Sequence, residues 1–297
     1  MVRKAAGFTL VELVIVLIIS GVLAAMISVF IRRPFEGYMD LNRRAQLTDA
    51  AEMALRTMRR DIKRALPNSV RVTNAGGFQV IEMINSLDGG RYRASPPPGN
   101  PDARLQFNLA DAQFNLIGHL QNIAHTATAP FSSSTVRLVI YNLGTAGFDA
   151  YSNNSVTPDV ITPANTAITI GIDPADPTED HITLNPGYQF AHTSPRQRIF
   201  VVDSPIAYLC DTNTGMLMRY TGYALTPNQT NVSTPAQFAA LNATSSVVTD
   251  HANCASTLFR YNAGTPTRAG LASLTLSLTD QGETVTLMNQ VHVDNLP

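Results

Sequence analysis

The sequence predicts an α+β protein: a long N-terminal helix, half of it transmembrane and half amphipathic, packed on an antiparallel β-rich head. Three observations carry that prediction. Residues 13–31 form a run without a single charge. Beyond it, apolar residues recur at threes and fours as far as Leu66, apart from one short step at Ala45–Leu47. From residue 67 onward the pattern changes to short alternating or β-branched runs separated by turn residues. The boundaries read from these changes are 1–7 as a leader, 8–34 and 35–66 as the two halves of the helix, and 67–297 as the head.

The apolar run LVIVLIISGVLAAMISVFI comes close to the ~20 residues a helix needs to cross a hydrocarbon core. Arg3 and Lys4 precede it, which keeps the extreme N-terminus in the cytoplasm and sends the rest outward. Arg32, Arg33 and Pro34 close the run on the far side. A cleaved secretory signal is the competing reading, but the run exceeds the ~7–15 residues of a signal core and no clean small-x-small site ends it. Glu12 stands at the head of the run. A carboxylate inside a bilayer is costly, about 3 kcal/mol on insertion scales, so it points to a function and to a partner.

The second half of the helix has an apolar stripe at Leu41, Ala45, Leu47, Ala51, Leu55, Met58, Ile62 and Leu66. Arg43, Arg44, Asp49, Glu52, Arg56, Arg59, Arg60 and Lys63 fall mostly on the other faces, and Pro67 is expected to end the element. A continuous helix from Phe8 to Leu66 would span roughly 90 Å at 1.5 Å per residue. Gly21, Pro34 and Gly37 are its expected bend points.

In the head, strands are expected at 70–73, 78–84, 104–109, 136–141, 199–202, 206–210, 217–223, 274–279 and 285–293. Turn signals lie at residues 74–77, 211–215 and 280–282, and residues 96–101 read as a surface loop. The stretch 151–186, rich in Asn, Thr, Pro and Asp, reads as a long irregular insertion.

Composition narrows the function. Of 297 residues, 14% are charged, against roughly 25% in average soluble proteins, and the net charge is −1. Nucleic-acid binders usually carry a strong basic excess, so no nucleic-acid partner is expected. The near-neutral total divides unevenly: residues 1–71 hold 12 of the 21 Lys and Arg and 6 of the 22 Asp and Glu. The basic excess therefore belongs to the helix and the acidic excess to the head. No G-x-S-x-G, Walker loop, G-x-G-x-x-G or H-E-x-x-H occurs, and the reading is of a non-enzyme without cofactors. His119, His125, His181, His192, His251 and His292 are scattered, with no metal-ligand spacing among them. Asp211-Thr212-Asn213-Thr214-Gly215 has the look of a calcium loop without a second acidic cluster or a closing Glu, so a hairpin turn is favoured and no metal is expected. An outward head places Cys210 and Cys254 in an oxidising compartment, where a disulfide is the plain expectation; free thiols or a metal pair are the alternatives.

Gly7-Phe8-Thr9-Leu10-Val11-Glu12-Leu13, after a short basic leader and before an apolar run, resembles the type IV prepilin motif. The resemblance implies cleavage by a prepilin peptidase between Gly7 and Phe8, N-methylation of Phe8, and an assembly role for Glu12. After cleavage the Phe8 amine and the Glu12 carboxylate stand about one helical turn apart. Pairing across neighbouring subunits would offset the cost of burying either ion.

The head segments at residues 208–220 and 290–297 resemble MshO-type minor pilins of mannose-sensitive haemagglutinin pili and, more broadly, J-type pseudopilins of type II secretion. The large head suggests a low-copy subunit, and the resemblance implies a pilin-like fold acting at filament initiation or tip. Its implied partners are the major pilin, other minor pilins, an inner-membrane assembly platform and the lipid bilayer. It also implies an inner-membrane precursor with a periplasmic head, later carried on the pilus. A secretion pseudopilin and a pilus-borne adhesin are the rival readings. An exposed aromatic cluster would favour the adhesin; Tyr188, Phe190, Tyr220 and Tyr223 are the candidates, with core packing expected for most of them.

Overall fold

The computed structural model describes Gly7 and residues 9–152, 158–264 and 268–293. It opens with one 54-residue helix, α1 (Leu10–Lys63), which passes Gly21, Pro34 and Gly37 without interruption. At 1.5 Å per residue α1 is about 80 Å long. Its end comes three residues before the expected Leu66. Leu66 N–H donates to the Ile84 carbonyl at 2.8 Å and Ser86 N–H to the Arg64 carbonyl at 2.9 Å, so the chain leaves the helix to pair with the sheet.

The expected α+β architecture is present. Thirteen strands are assigned among the described residues: β1 (Arg71–Ala75), β2 (Phe78–Arg91), β3 (Asp111–Leu116), β4 (Phe131–Ser133), β5 (Arg137–Val139), β6 (Ala167–Ile172), β7 (Asp180–Tyr188), β8 (Arg198–Asp211), β9 (Met216–Thr221), β10 (Thr244–Thr249), β11 (Leu258–Asn262), β12 (Gly270–Asp280) and β13 (Glu283–Val293). They form three antiparallel sheets. The largest runs β1-β2-β8-β9-β10, with β5 beside the first half of β8; the others run β11-β12-β13 and β3-β7-β6-β4.

The C-terminal half of α1 lies over two of these sheets. Leu47, Ala51, Ala54, Leu55, Met58 and Ile62 are buried against Ala272, Leu274, Leu276 and Leu278 of β12, Val291 of β13, and Ile81, Met83, Ile206 and Tyr208 of the large sheet. Period-2 alternation in β12 sends alternate residues to the helix. Removing a side chain as deeply buried as Met58 or Ile62 should cost about 2–5 kcal/mol. The stripe is shorter than its sequence pattern, because Leu41 is 70% exposed and Ala45 is exposed as well. At that level Arg43 reaches the β12–β13 turn. Arg43 donates to Asp40 at 2.9 Å and to Gln281 Oε1 at 2.6 Å, with Asp280 Oδ2 3.4 Å away. That turn has Gln281 and Gly282 both at positive φ, the backbone a two-residue hairpin requires.

Four strand expectations need correction. Residues 104–109 form no strand; Asp111 accepts from Gln106 N–H at 2.8 Å and Gln113 N–H at 3.3 Å, which turns the chain and starts β3 later. Residues 199–202 and 206–210 belong to one strand, β8, because β-bulges opposite residues 84–88 accommodate Pro205. Residues 151–186 are not wholly irregular: β6 and most of β7 lie there, with Ile168, Ile170, Ile182 and Leu184 buried in alternation. The strands β4, β10 and β11 and a short helix, α2 (Pro235–Ala240), were not expected.

Candidate functional site

The first site is the start of α1. Thr9 is the N-cap: its Oγ1 accepts from Glu12 N–H at 3.3 Å, and Glu12 Oε2 accepts from Thr9 N–H at 3.5 Å. This reciprocal capping box folds the carboxylate back toward the N-terminal end of the helix. A negative charge there also suits the helix dipole. Residues Leu10–Ser28 have a mean hydropathy of 2.8, and none of that stretch is buried against the rest of the chain. Leu10, Val11, Leu17, Ile18 and Met26 are each more than 60% exposed. A surface this apolar requires a lipid or protein environment. Phe8 and the leader residues 1–6 lie outside the described residues, as do 294–297 of the tail that carries the second resemblance.

Cys210, on β8, and Cys254, in the β10–β11 connection, are joined with a Cα–Cα distance of 5.5 Å and a sequence separation of 44. Both are buried. The Cys254 loop is also held by Asn253 N–H to the Ser277 carbonyl of β12 at 2.8 Å and by Ala252 N–H to the Gly215 carbonyl at 2.8 Å. The cross-link therefore ties the large sheet to the sheet that carries β12, directly under the helix.

Residues 211–215 form the β8–β9 turn. Asp211 accepts from Asn213 N–H at 2.8 Å and from the Thr214 hydroxyl at 3.1 Å, and Gly215 sits at φ 66°. Its carboxylate is occupied in shaping a hairpin.

The four aromatic candidates for a surface cluster are interior, as core packing predicts. Tyr188 and Phe190 pack edge to face at 5.0 Å, while Tyr220 stacks on Phe238 of α2 at 4.1 Å; Tyr223 meets the same ring at 5.3 Å. All four are buried. They are core, and they offer no aromatic surface for a ligand.

One constellation was missed. Asp180, the first residue of β7, meets His119 and His125 of the loop that follows β3. His119 Nδ1 lies 2.7 Å and His125 Nε2 2.8 Å from Asp180 Oδ1, and Leu120 N–H donates to Asp180 Oδ2 at 2.7 Å. His125 Nδ1 lies 2.7 Å from the Ile123 carbonyl. The Asp180 carboxylate is fully buried, His125 nearly so, and His119 partly open to solvent. Burial pushes His125 down, but the Asp180 carboxylate and the Ile123 carbonyl outweigh it and hold the imidazole above its ordinary value. The two histidines are six residues apart and Asp180 is 55 beyond His125, so no local spacing connects them. Only the pairing of β3 with β7 brings them together.

The family model for the prokaryotic N-terminal methylation motif matches residues 2–28. No curated protein and no solved structure matches the chain. The matched residues hold the basic leader, Gly7, Phe8, Glu12 and the apolar start of α1; of these, Gly7, Glu12 and the helix from Leu10 are among the described residues. Over those residues the chain carries the prokaryotic N-terminal methylation motif of the prepilin type, set on a helix long and apolar enough to cross a membrane.

Proposed function

We propose that this chain is a minor pilin of a type IV pilus. In this reading it is cut between Gly7 and Phe8, methylated on Phe8, and drawn into the filament by its N-terminal helix. The observation that carries the reading is the Leu10–Ser28 stretch of α1, none of it buried against the rest of the chain and apolar apart from one carboxylate near its start. A helix of that kind is complementary to other helices like itself, and Glu12 supplies the one strong polar contact by which such helices can keep register.

The head supports a low-copy role. Residues 67–297 carry three sheets, and such a mass on every subunit would crowd a thin fibre. Initiation of assembly or occupation of the tip suits it better. The adhesin variant of this reading loses its sequence support, because its aromatic residues are interior.

Two measurements test the proposal. Intact-mass analysis of membrane-extracted protein should show loss of residues 1–7 and gain of one methyl group. Quantitative blotting of sheared pili should then find the chain at a small fraction of the major subunit. An unprocessed N-terminus in cells with active prepilin peptidase would overturn the processing step, and stoichiometric abundance would overturn the minor role. Absence from pili in cells that require the chain for protein secretion would move it to the pseudopilins.

A further inference from the structure

We propose that His119, His125 and Asp180 form a binding site for a divalent first-row transition-metal ion of the zinc class, which staples the 117–125 loop to β7. The site lies outside the assembly helix, and its argument does not depend on the pilin reading.

The hydrogen-bond pattern is the starting point. A carbonyl oxygen can only accept, so the 2.7 Å contact to Ile123 places a proton on His125 Nδ1. A carboxylate also only accepts, so Nε2 carries a proton toward Asp180 Oδ1 at 2.8 Å, and a metal ion would take that proton's place on the Nε2 lone pair. His119 Nδ1 converges on the same oxygen at 2.7 Å. Two imidazole nitrogens and a buried carboxylate oxygen thus point at one spot, with their ligand atoms all within 4.8 Å of one another. A cation there would satisfy all three at once.

The surroundings match what metal ligands need. His125 donates its second ring nitrogen to a backbone carbonyl, the usual way of fixing the tautomer and orientation of a ligating imidazole. Asp180 is held by Leu120 N–H on its other oxygen, and its own N–H donates to the Gly118 carbonyl at 3.2 Å. Gly118, at φ 84°, makes the turn that brings His119 over β7. Asp88 adds a second carboxylate to the neighbourhood, anchored by Asn122 N–H at 2.6 Å. An entry path exists as well: His119 lines a cavity of about 430 Å³ with Gly89, Gly90 and Gly118, and a water or small anion there could complete the coordination.

Chemistry selects the ion. Two imidazoles and one carboxylate suit zinc and its neighbours, whereas calcium takes six to eight oxygen ligands. Zinc–nitrogen and zinc–oxygen bonds of about 2.0–2.2 Å in a tetrahedron separate ligand atoms by roughly 3.3 Å. The present contacts would need to open by about half an ångström. The partly exposed His119 gives the loop room for that movement.

The experiment uses the full chain, detergent-solubilised, purified without a histidine tag and stripped with a chelator. It is titrated with ZnCl₂ alone and, separately, with CoCl₂ to read the visible d–d bands of a tetrahedral site. Wild type should take up one equivalent of zinc, excess calcium should not displace it, and cobalt should show tetrahedral bands. His119→Gln, in an open side chain, should keep the fold by circular dichroism and weaken zinc at least tenfold. His125→Gln should do the same or worse, and His251→Gln should leave binding unchanged. Three results would overturn the site: no stoichiometric uptake by wild type, displacement by calcium, or a folded His119→Gln variant that binds as tightly as wild type.

Discussion

Asp61, near the end of α1, accepts a 2.6 Å hydrogen bond from the Tyr208 hydroxyl at the centre of the large sheet. The same Oδ2 accepts from Arg219 Nε at 2.7 Å. Burial first, and then the Asp61 carboxylate, push the Tyr208 phenol well up, so the hydroxyl remains a donor. One carboxylate thereby joins α1 to β8 and β9. Together with Arg43 on the β12–β13 turn, it fixes the helix to the head at two levels some 18 residues apart.

Replacement of Asp61 by Ala would leave the Tyr208 hydroxyl buried without an acceptor and Arg219 without its partner. The expected loss is about 2–3 kcal/mol, below the full value for a buried pair because Arg219 is 28% exposed. Asp61→Asn keeps an acceptor oxygen and should lose less. Denaturant titration of the detergent-solubilised chain checks the ranking; an Ala variant within about 0.5 kcal/mol of wild type would show that the link adds nothing.

The Cys210–Cys254 cross-link closes a loop of 44 residues. In the chain-entropy account that loop length is worth about 4 kcal/mol. Cys254→Ser should lower stability by up to that amount, and wild type measured under reducing conditions should match it. Alkylation of protein matured in an oxidising compartment should find no free thiol. Full labelling of both cysteines would remove the bond from the native state.

Asp203, half-buried in the bulged part of β8, accepts from Asn85 Nδ2 at 2.9 Å. Burial raises its carboxyl above the ordinary 3.8, more than the Asn85 hydrogen bond lowers it. A raised folded value means that the native state holds the proton more tightly than the unfolded chain. Its contribution is therefore fully present below pH 3.8 and lost as pH rises through the folded value. Asp203→Asn, which cannot titrate, should become steadily more stable relative to wild type across that rise. Parallel stability curves for the two proteins between pH 3 and 6 would contradict the shift.

How much of this was legible in the sequence depends on the range of the interactions involved. The apolar run before Arg32, the stripe through Leu47, Ala51, Met58 and Ile62, and the alternation of β12 are local patterns, and local patterns survive in a string of letters. Pro205 misled in the other direction, since a proline reads as a break and only the opposing bulge shows how β8 passes it. In β6 and β7 the alternating isoleucines were present, but the surrounding Asn, Asp and Pro composition outweighed them. Asp61 was one charge among many on a basic helix, and nothing nearby announces Tyr208. The cluster at His119, His125 and Asp180 depends on strand pairing, which no spacing records.

Glu12 gives the sharpest test of the assembly reading, because its two possible roles predict opposite outcomes. If the carboxylate only burdens insertion, Glu12→Val should enter the membrane more readily and assemble as before. The structure adds a third term: Glu12 also closes the capping box with Thr9, so its removal costs the helix start about 1 kcal/mol. Glu12→Gln separates the effects, since Gln completes a capping box as well as Glu but carries no charge. If pairing with the Phe8 amine of a neighbouring subunit drives assembly, both variants should still be inserted and cleaved, because Gly7 and Phe8 are unchanged. Both should then fail to enter filaments, through an unpaired buried amine worth about 3 kcal/mol or more, on the order of a hundredfold in an assembly equilibrium. If the cap were the essential feature, Gln would assemble and Val would not. Sheared-pilus fractions compared at equal membrane levels decide among these. Assembly of Glu12→Gln at the wild-type level would remove the charge pair from the mechanism and leave the apolar helix as the sole driver of assembly.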